Sequence, residues 1–155
     1  GHRFSGQSDD EFIEHLKDLA SEAPVIRLVN QIIHRAVDIA ASDIHIEPFE
    51  EGLQLRYRVD GVLQDQPDPP AGNLGPAIAS RIKLLSGMNI AERRLPQDGR
   101  IMIRVKGHEL DLRASTIPTV HGESIVMRVL DRESIRLNLS DMGFSADTLE
   151  PLAWQ

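Results

Sequence analysis

Four arginines in the second half of this sequence have the side-chain chemistry and spacing to bind phosphate. Arg100, Arg104 and Arg113 lie in two segments that alternate apolar and polar residues, and Arg128 lies in a third such segment. In a β-strand, alternate side chains point to opposite faces, so we expect the four arginines on the face opposite the apolar residues. A guanidinium group stays charged and binds phosphate oxygens in pairs. The pattern therefore predicts one basic surface that could hold a polyphosphate.

An ordinary ion-pair interpretation of the same residues remains open. We assign Gly107-His108 as the two-residue hairpin turn between the first two segments. That turn places Arg104 opposite Asp111, where a cross-strand ion pair is expected. Arg113 and Arg128 have no such obvious acidic partner in the predicted register. The phosphate-binding hypothesis therefore depends mainly on these two residues, and Arg100 is a weaker candidate.

A metal site is the second chemistry that the residue types allow. His45 and Glu47 share one strand face, and His121 and Glu123 follow a later turn. Two ligands on one strand form an incomplete site, and a hydrogen-bonded structural pair is the more common use of such residues. We assign no metal to this chain.

The remaining composition excludes several classes of function. There is no cysteine, so disulfides, thiolate metal sites and zinc deaminase chemistry are ruled out. The net charge of −7 and the aromatic content of 4% argue against a nucleic-acid partner. No Gly-x-Ser-x-Gly or Gly-x-x-x-x-Gly-Lys motif is present to mark a nucleophile or a phosphate loop. We therefore expect neither catalysis nor a bound cofactor in this chain by itself.

The elements that must position the arginines follow from hydrophobic periodicity. An apolar stripe predicts a helix over Val25–Ala41, and Asn73 and Gly87 are expected to cap a second helix over Leu74–Ser86. Asp60-Gly61 indicates a hairpin between two early strands. A long charged connection over Met88–Gly99 then leads into three strands: Arg100–Lys106, Glu109–Ile117 and Glu123–Asp131. Helices on a mostly antiparallel sheet predict an α+β domain.

The two ends of the sequence indicate a piece of a longer protein. The sequence begins without methionine, and Ser8–Ser21 has the spacing of a short amphipathic helix or a mobile arm. A further helix-like stretch starts at Ser145 and continues to Gln155. We expect residues 1–22 to form an arm or short helix, residues 23–142 the domain, and residues 143–155 the start of a linker.

Four motifs, in this order, resemble the type II/type IV secretion ATPase superfamily. They match the second N-terminal domain of those proteins and are most similar to the general secretion pathway protein E branch. They are ASDIHIEP at residues 41–48, RYRVDGV at 56–62, IAERRLPQDGR at 90–100, and Gly122-Glu123 followed by Arg128. The resemblance covers about residues 23–142.

The resemblance implies a PAS-like domain that precedes a motor domain in a hexameric ATPase. Such an enzyme powers pseudopilus assembly and protein secretion, with ATP and Mg²⁺ bound by the full-length protein. Its implied partners are its own C-terminal motor domain, neighbouring subunits of a homo-hexamer and platform proteins of the inner membrane, on the cytoplasmic side. The resemblance also implies that Arg113 and Arg128 contact the nucleotide phosphates when the two domains close.

Two alternatives remain open from the sequence. One is a pilus-assembly ATPase of the same superfamily. The other is an independent PAS-like module that binds a small ligand or a protein, which predicts an apolar pocket in this chain.

Overall fold

Residues 2–131 fold into two layers, with helices packed on one face of an antiparallel sheet. The computed structural model describes residues 2–131, and the side chains of residues 10–130. The helices are α1 His2–Ala20, α2 Ala23–Asp38 and α3 Gly75–Ser86, and a 3-10 turn spans Gly72–Leu74. The strands are β1 Asp43–Phe49, β2 Gly52–Val59, β3 Val62–Asp65, β4 Gln97–Val105, β5 His108–Thr119 and β6 Gly122–Asp131. The predicted α+β class is confirmed.

The six strands form one sheet in the order β3-β2-β1-β6-β5-β4. All neighbouring strands are antiparallel. The first three strands and the last three are each consecutive in the sequence, and the pairing of β1 with β6 joins the two groups. This pairing places residues near position 43 beside residues near position 128.

The core lies between the helices and one face of the sheet, as the alternation of apolar residues predicts. Leu110, Leu112 and Met127 are fully buried there, together with Ile44 and Ile33. The charged residues at the alternate positions lie on the other face. We call that second face the open face, because α2 and α3 pack on the first.

The hairpin turn between β4 and β5 is not the predicted one. Lys106 and Gly107 are the two turn residues, with φ of 51° and 80°. Positive φ at both positions is typical of the type I′ turn, which matches the right-handed twist of the flanking strands. The register consequently differs by two residues from the expectation, so Arg104 pairs with Glu109 and not with Asp111. A two-residue difference leaves every side chain on its predicted face.

Other predicted boundaries also change. Asn73 lies in the 3-10 turn and does not cap α3, which begins at Gly75 with Pro76 in its first turn. Gly87 ends that helix with a φ of 73°, as predicted. The N-terminal helix is longer than the predicted Ser8–Ser21. The helix-like stretch expected from residue 145 onward lies outside the described residues.

Candidate functional site

Three arginines lie side by side across the open face, which we call the arginine row. Arg100 on β4 is directly opposite Arg113 on β5, and Arg113 is directly opposite Arg128 on β6. The same line continues to Asp43 on β1 and then to Arg58 on β2. Like charges directly opposite each other destabilise a sheet. An arrangement that contradicts ordinary cross-strand pairing points to a binding surface.

All three side chains of the arginine row are accessible. The exposed fraction is 51% for Arg100, 61% for Arg113 and 71% for Arg128. The backbone of each residue is nevertheless fixed in the middle of a hydrogen-bonded strand. The row therefore combines rigid anchors with charged groups that a ligand or a second domain could reach.

Asp111 lies beside the arginine row on β5, and its side chain is only 8% exposed. Arg100 donates from Nε to Oδ1 over 2.8 Å and from Nη2 to Oδ2 over 2.7 Å. This paired hydrogen bond raises the pKa of Arg100. The Nε of Arg113 lies 3.8 Å from Oδ1 of the same carboxylate. Asp111 thus binds Arg100 tightly and Arg113 loosely.

At the other end of the row, Asp43 is the carboxylate that lies near Arg128. Its Oδ1 lies 3.7 Å from Nε of Arg128, and its Oδ2 lies 3.7 Å from Nε of Arg58. Ser42 donates its hydroxyl to Oδ2 of Asp43 over 2.7 Å, and Nη1 of Arg58 donates to the carbonyl of Gly61 over 2.9 Å. The side chain of Asp43 is 13% exposed.

These contacts revise the sequence-based expectations for single arginines. Arg104 forms an ion pair as predicted, but its partner is Glu109 at 2.7 Å. Arg113 and Arg128, which were expected to lack acidic partners, each have a carboxylate at a distance longer than a hydrogen bond. The predicted pairs differ because the turn shifts the register, and because the β1–β6 pairing brings Asp43 to Arg128.

The two glutamates considered for a metal site have other partners. Glu47 accepts a 2.9 Å hydrogen bond from Nη2 of Arg56, so Arg56 and not His45 is its partner in the structure. Glu123 binds Nζ of Lys83 at 2.6 Å. Within residues 2–131, no group of three or more histidine, aspartate and glutamate residues is arranged to hold a metal ion.

A buried ion pair that the sequence pattern did not predict lies below the loop that precedes β4. Lys83 on α3 is 2% exposed, and its Nζ also donates to the carbonyl of Glu92 over 2.7 Å. Gln97 holds the same loop through hydrogen bonds to the backbone of Asn89 and Glu92. A signal was present, because Lys83 lies one helical turn after the buried Ala79. A lysine at such a position requires a buried acidic or carbonyl partner.

The chain segment that leads into β4 also packs closely against the C-terminal end of α3. A Cβ atom added to Gly99 would lie 2.6 Å from the carbonyl oxygen of Ser86, so only glycine fits there without rearrangement. The strand β4 begins at Gln97, two residues before Gly99. The connection between α3 and β4 is therefore shorter than the predicted Met88–Gly99. This close approach fixes the start of the strand that carries Arg100.

A cleft of about 850 Å³ opens at the end of the sheet, between α1 and α3. Apolar side chains line it together with both acidic and basic groups, among them Phe12, Phe49, Glu50, Arg93 and Glu123. The guanidinium carbon of Arg93 lies 4.6 Å from the centre of the Phe12 ring. Such a mixed cleft suits a small ligand with an apolar body and a charged group. It lies apart from the arginine row, whose residues do not line it.

Comparison with known proteins places the chain among secretion proteins. The family model described as "Type II/IV secretion system protein" matches residues 18–154. The chain is 63% identical over 142 residues to "Type II secretion system protein E" of Xanthomonas campestris, an alignment that covers 92% of this chain and 25% of the relative. It is 44% identical over 149 residues to "Type IV pilus assembly ATPase PilB" of Myxococcus xanthus, covering 96% of this chain and 26% of that protein.

The chain thus spans about a quarter of the length of these relatives. Among solved structures, the ATPase DotB of Legionella pneumophila matches with a TM-score of 0.48 and 17% identity, over 66% of this chain and 28% of that one. Across residues 2–131, no helix is long and apolar enough to cross a membrane.

Proposed function

The chain belongs to the Type II/IV secretion system protein family, and we propose that it is the nucleotide-contacting N-terminal domain of a hexameric secretion ATPase. In this proposal Arg113 and Arg128 bind the nucleotide phosphates when the domain closes on its motor domain. The motor domain supplies the phosphate loop, Mg²⁺ and the reacting water. The enzyme powers type II protein secretion from the cytoplasmic side of the inner membrane.

The observation that carries the proposal is the arginine row. Arg113 and Arg128 are directly opposite each other, mostly exposed, and hydrogen-bonded to neither nearby carboxylate. Two exposed guanidinium groups on adjacent strands can bind separate oxygens of one polyphosphate. Phosphoryl transfer spreads negative charge over the phosphate oxygens, and fixed positive groups stabilise that charge in the transition state.

The surroundings of the row fit contact with a second protein surface. Met102 and Ile117 also lie on the open face and are 52% and 49% exposed. They lie at separate points of the face and do not form a continuous apolar patch, so they add contact area beside the charged groups. We propose that the motor domain, of the same subunit or of a neighbouring subunit in the hexamer, covers this face. Platform proteins of the inner membrane bind other parts of the full-length protein.

The first prediction tests the two exposed arginines. Arg113→Ala and Arg128→Ala should each lower the ATPase activity of the full-length protein by about 10³-fold, the effect of removing an arginine that binds the transferred phosphate. The free energy of unfolding of the isolated chain should change by no more than about 0.5 kcal/mol, as for other surface residues. Steady-state ATP hydrolysis by the full-length protein and denaturant melting of the chain measure the two effects.

Arg104→Ala is the matched control for this experiment. Arg104 lies on the same face and is 69% exposed, but it pairs with Glu109 outside the row. Its loss should leave ATP hydrolysis nearly unchanged. Full activity in the Arg113 and Arg128 variants, combined with earlier melting, would show that these arginines serve the fold and would refute the phosphate role.

Two alternatives are favoured by particular observations. A role in pilus assembly is supported by the 44% identity to the pilus assembly ATPase, although the identity to the type II secretion relative is 63%. A small-molecule binding module is supported by the cleft at the end of the sheet. Saturable binding of an amphipathic anion such as a fatty acid by the isolated chain, lost in Phe12→Ala, would favour that second alternative.

A further inference from the structure

We propose that Asp43 and Asp111 are positioning residues that aim Arg128 and Arg113 at the phosphates. Arg100 is a positioning residue as well, since it fixes Asp111 and does not itself contact the nucleotide. This inference rests on the proposed function of Arg113 and Arg128. It adds the three residues that give those arginines their direction.

The geometry divides the arginines into fixed and available ones. Arg100 uses two of its nitrogens in hydrogen bonds of 2.7 and 2.8 Å to Asp111. Arg113 lies 3.8 Å from the same carboxylate, which is beyond hydrogen-bond distance. Arg113 can therefore turn its donors toward a phosphate without breaking a strong bond. Arg100 would first have to release Asp111.

The residues around Arg128 repeat this division. Arg58 donates to the carbonyl of Gly61 over 2.9 Å, so its guanidinium group is held at the β2–β3 turn. Asp43 lies between Arg58 and Arg128, at 3.7 Å from each, and a hydroxyl hydrogen bond from Ser42 holds its carboxylate. Asp111 and Asp43 thus each lie within 4 Å of two arginines, one that is held by hydrogen bonds and one that is not.

The repulsion between Arg113 and Arg128 makes a nearby carboxylate necessary to hold each guanidinium group in one direction. Arg113 and Arg128 are directly opposite each other, so their charges repel and would drive the two side chains apart. The carboxylate near each arginine, Asp111 for Arg113 and Asp43 for Arg128, attracts its Nε and makes no hydrogen bond to its terminal nitrogens. Both carboxylates are largely buried, at 8% and 13% side-chain exposure, so their own positions are held by the sheet while the arginines remain exposed. In this proposal the terminal nitrogens of Arg113 and Arg128 then bind the phosphate oxygens.

A simpler role for the two aspartates makes the opposite prediction. If Asp43 and Asp111 only balance positive charge, removing their charge makes the surface more positive and ATP should bind more tightly. If they position the arginines, removing their charge misdirects the guanidinium groups, and misplacement by about 1 Å can cost 10²-fold in rate. The sign of the change therefore separates the two roles.

The experiment uses the full-length ATPase with Asp111→Asn and Asp43→Asn, each close in shape to the original residue. We expect kcat to fall by about 10- to 100-fold in each variant, without a fall in the KM for ATP. Glu109→Gln is the matched control, because it breaks an ion pair on the same strand and face but outside the row. A lower KM for ATP with unchanged kcat in both aspartate variants would overturn the positioning role.

Variants of Arg100 test whether it holds Asp111 or contacts the phosphate itself. Arg100→Lys keeps the charge but loses the paired hydrogen bond, so it should lower kcat as far as Arg100→Ala does. The double variant Arg100→Ala/Asp111→Asn should be no slower than Asp111→Asn alone, because both changes remove the same Arg100–Asp111 pair beside Arg113. Multiplied losses in the double variant would show that Arg100 contacts the phosphate itself, and would overturn this part of the inference.

The outcomes also separate this inference from the function on which it rests. Full activity of Arg113→Ala and Arg128→Ala would refute the phosphate role altogether. Loss of activity in those two variants, with both aspartate variants as active as Glu109→Gln, would refute the positioning role alone. Melting of each variant shows whether the domain is folded, and Asp43→Asn carries the test if Asp111→Asn does not fold.

Discussion

The arginine row shows a conflict between stability and binding at the level of single residues. Cross-strand neighbours of like charge destabilise a sheet, and a sequence selected only for stability would alternate acids and bases along this line. Asp43 and Asp111 offset part of the repulsion from largely buried positions. Surface charges elsewhere follow the ordinary rule, as Arg104 with Glu109 and Arg56 with Glu47 show.

His45 gives a prediction at the same scale. It lies on the open face between Asp43 and Glu47, and burial, aided by Arg56 and Arg58, lowers its pKa although the two acids oppose this effect. The unfolded chain, with the ordinary histidine pKa of about 6.5, takes up the proton first as the pH falls. The free energy of unfolding should therefore decrease as the pH drops from about 7 through 6.5 toward the lowered pKa of the folded state.

The measurement is denaturant melting of the isolated chain at several pH values in this range. His45→Gln, which is neutral throughout, should show a flatter dependence than the unmodified chain. An equally steep dependence in the variant would mean that other groups cause it and that the His45 pKa is not lowered.

At the scale of secondary-structure elements, a tight hairpin turn determines which arginines meet on β4 and β5. Asp60-Gly61 and Lys106-Gly107 both have positive φ at their two central positions. The second turn places Arg100 opposite Arg113, and the pairing of β5 with β6 then adds Arg128. A turn one position further along the chain would have put Ser115 opposite Arg100 and would have broken the row.

Leu112 provides the prediction for the strands. Leu112→Ala should lower the free energy of unfolding by about 2 to 5 kcal/mol, because the side chain is fully buried between β5 and the helices. Met102→Ala is the control, since Met102 is half exposed on the open face and its loss should cost no more than about 0.5 kcal/mol. Denaturant melting of both variants checks the assignment of the two faces. Equal effects would contradict it.

At the scale of the whole molecule, Lys83 and Glu123 connect the helical layer, the loop and the sheet. Lys83 is on α3, Glu123 is on β6, and the Lys83 amine also binds the loop carbonyl of Glu92. The pair is nearly buried, at 2% and 11% side-chain exposure. Removing one partner of such a pair leaves an uncompensated charge in the interior.

The corresponding prediction uses three variants. Lys83→Met should lower the free energy of unfolding by about 3 to 5 kcal/mol, and Lys83→Met/Glu123→Leu should recover most of this loss, because the second change removes the unpaired charge. Lys106→Met, which breaks the exposed pair with Asp38, should cost at most about 1 kcal/mol. Thermal or denaturant melting measures all three. A double variant as unstable as Lys83→Met would show that lost packing, and not the unpaired charge, causes the effect.

The sequence by itself determined the fold class, the two sheet faces and the position of the arginines on the open face. A period of two residues fixes the face of every side chain in a strand, and Leu112 and Arg113 follow that rule. Only the tertiary structure decided which residues are neighbours, because the same alternation permits registers that differ by two residues. The contacts of Arg128 with Asp43 and of Lys83 with Glu123 join residues that are 85 and 40 positions apart. Such contacts follow from the pairing of β1 with β6 and the packing of α3 on the sheet, which no local pattern specifies.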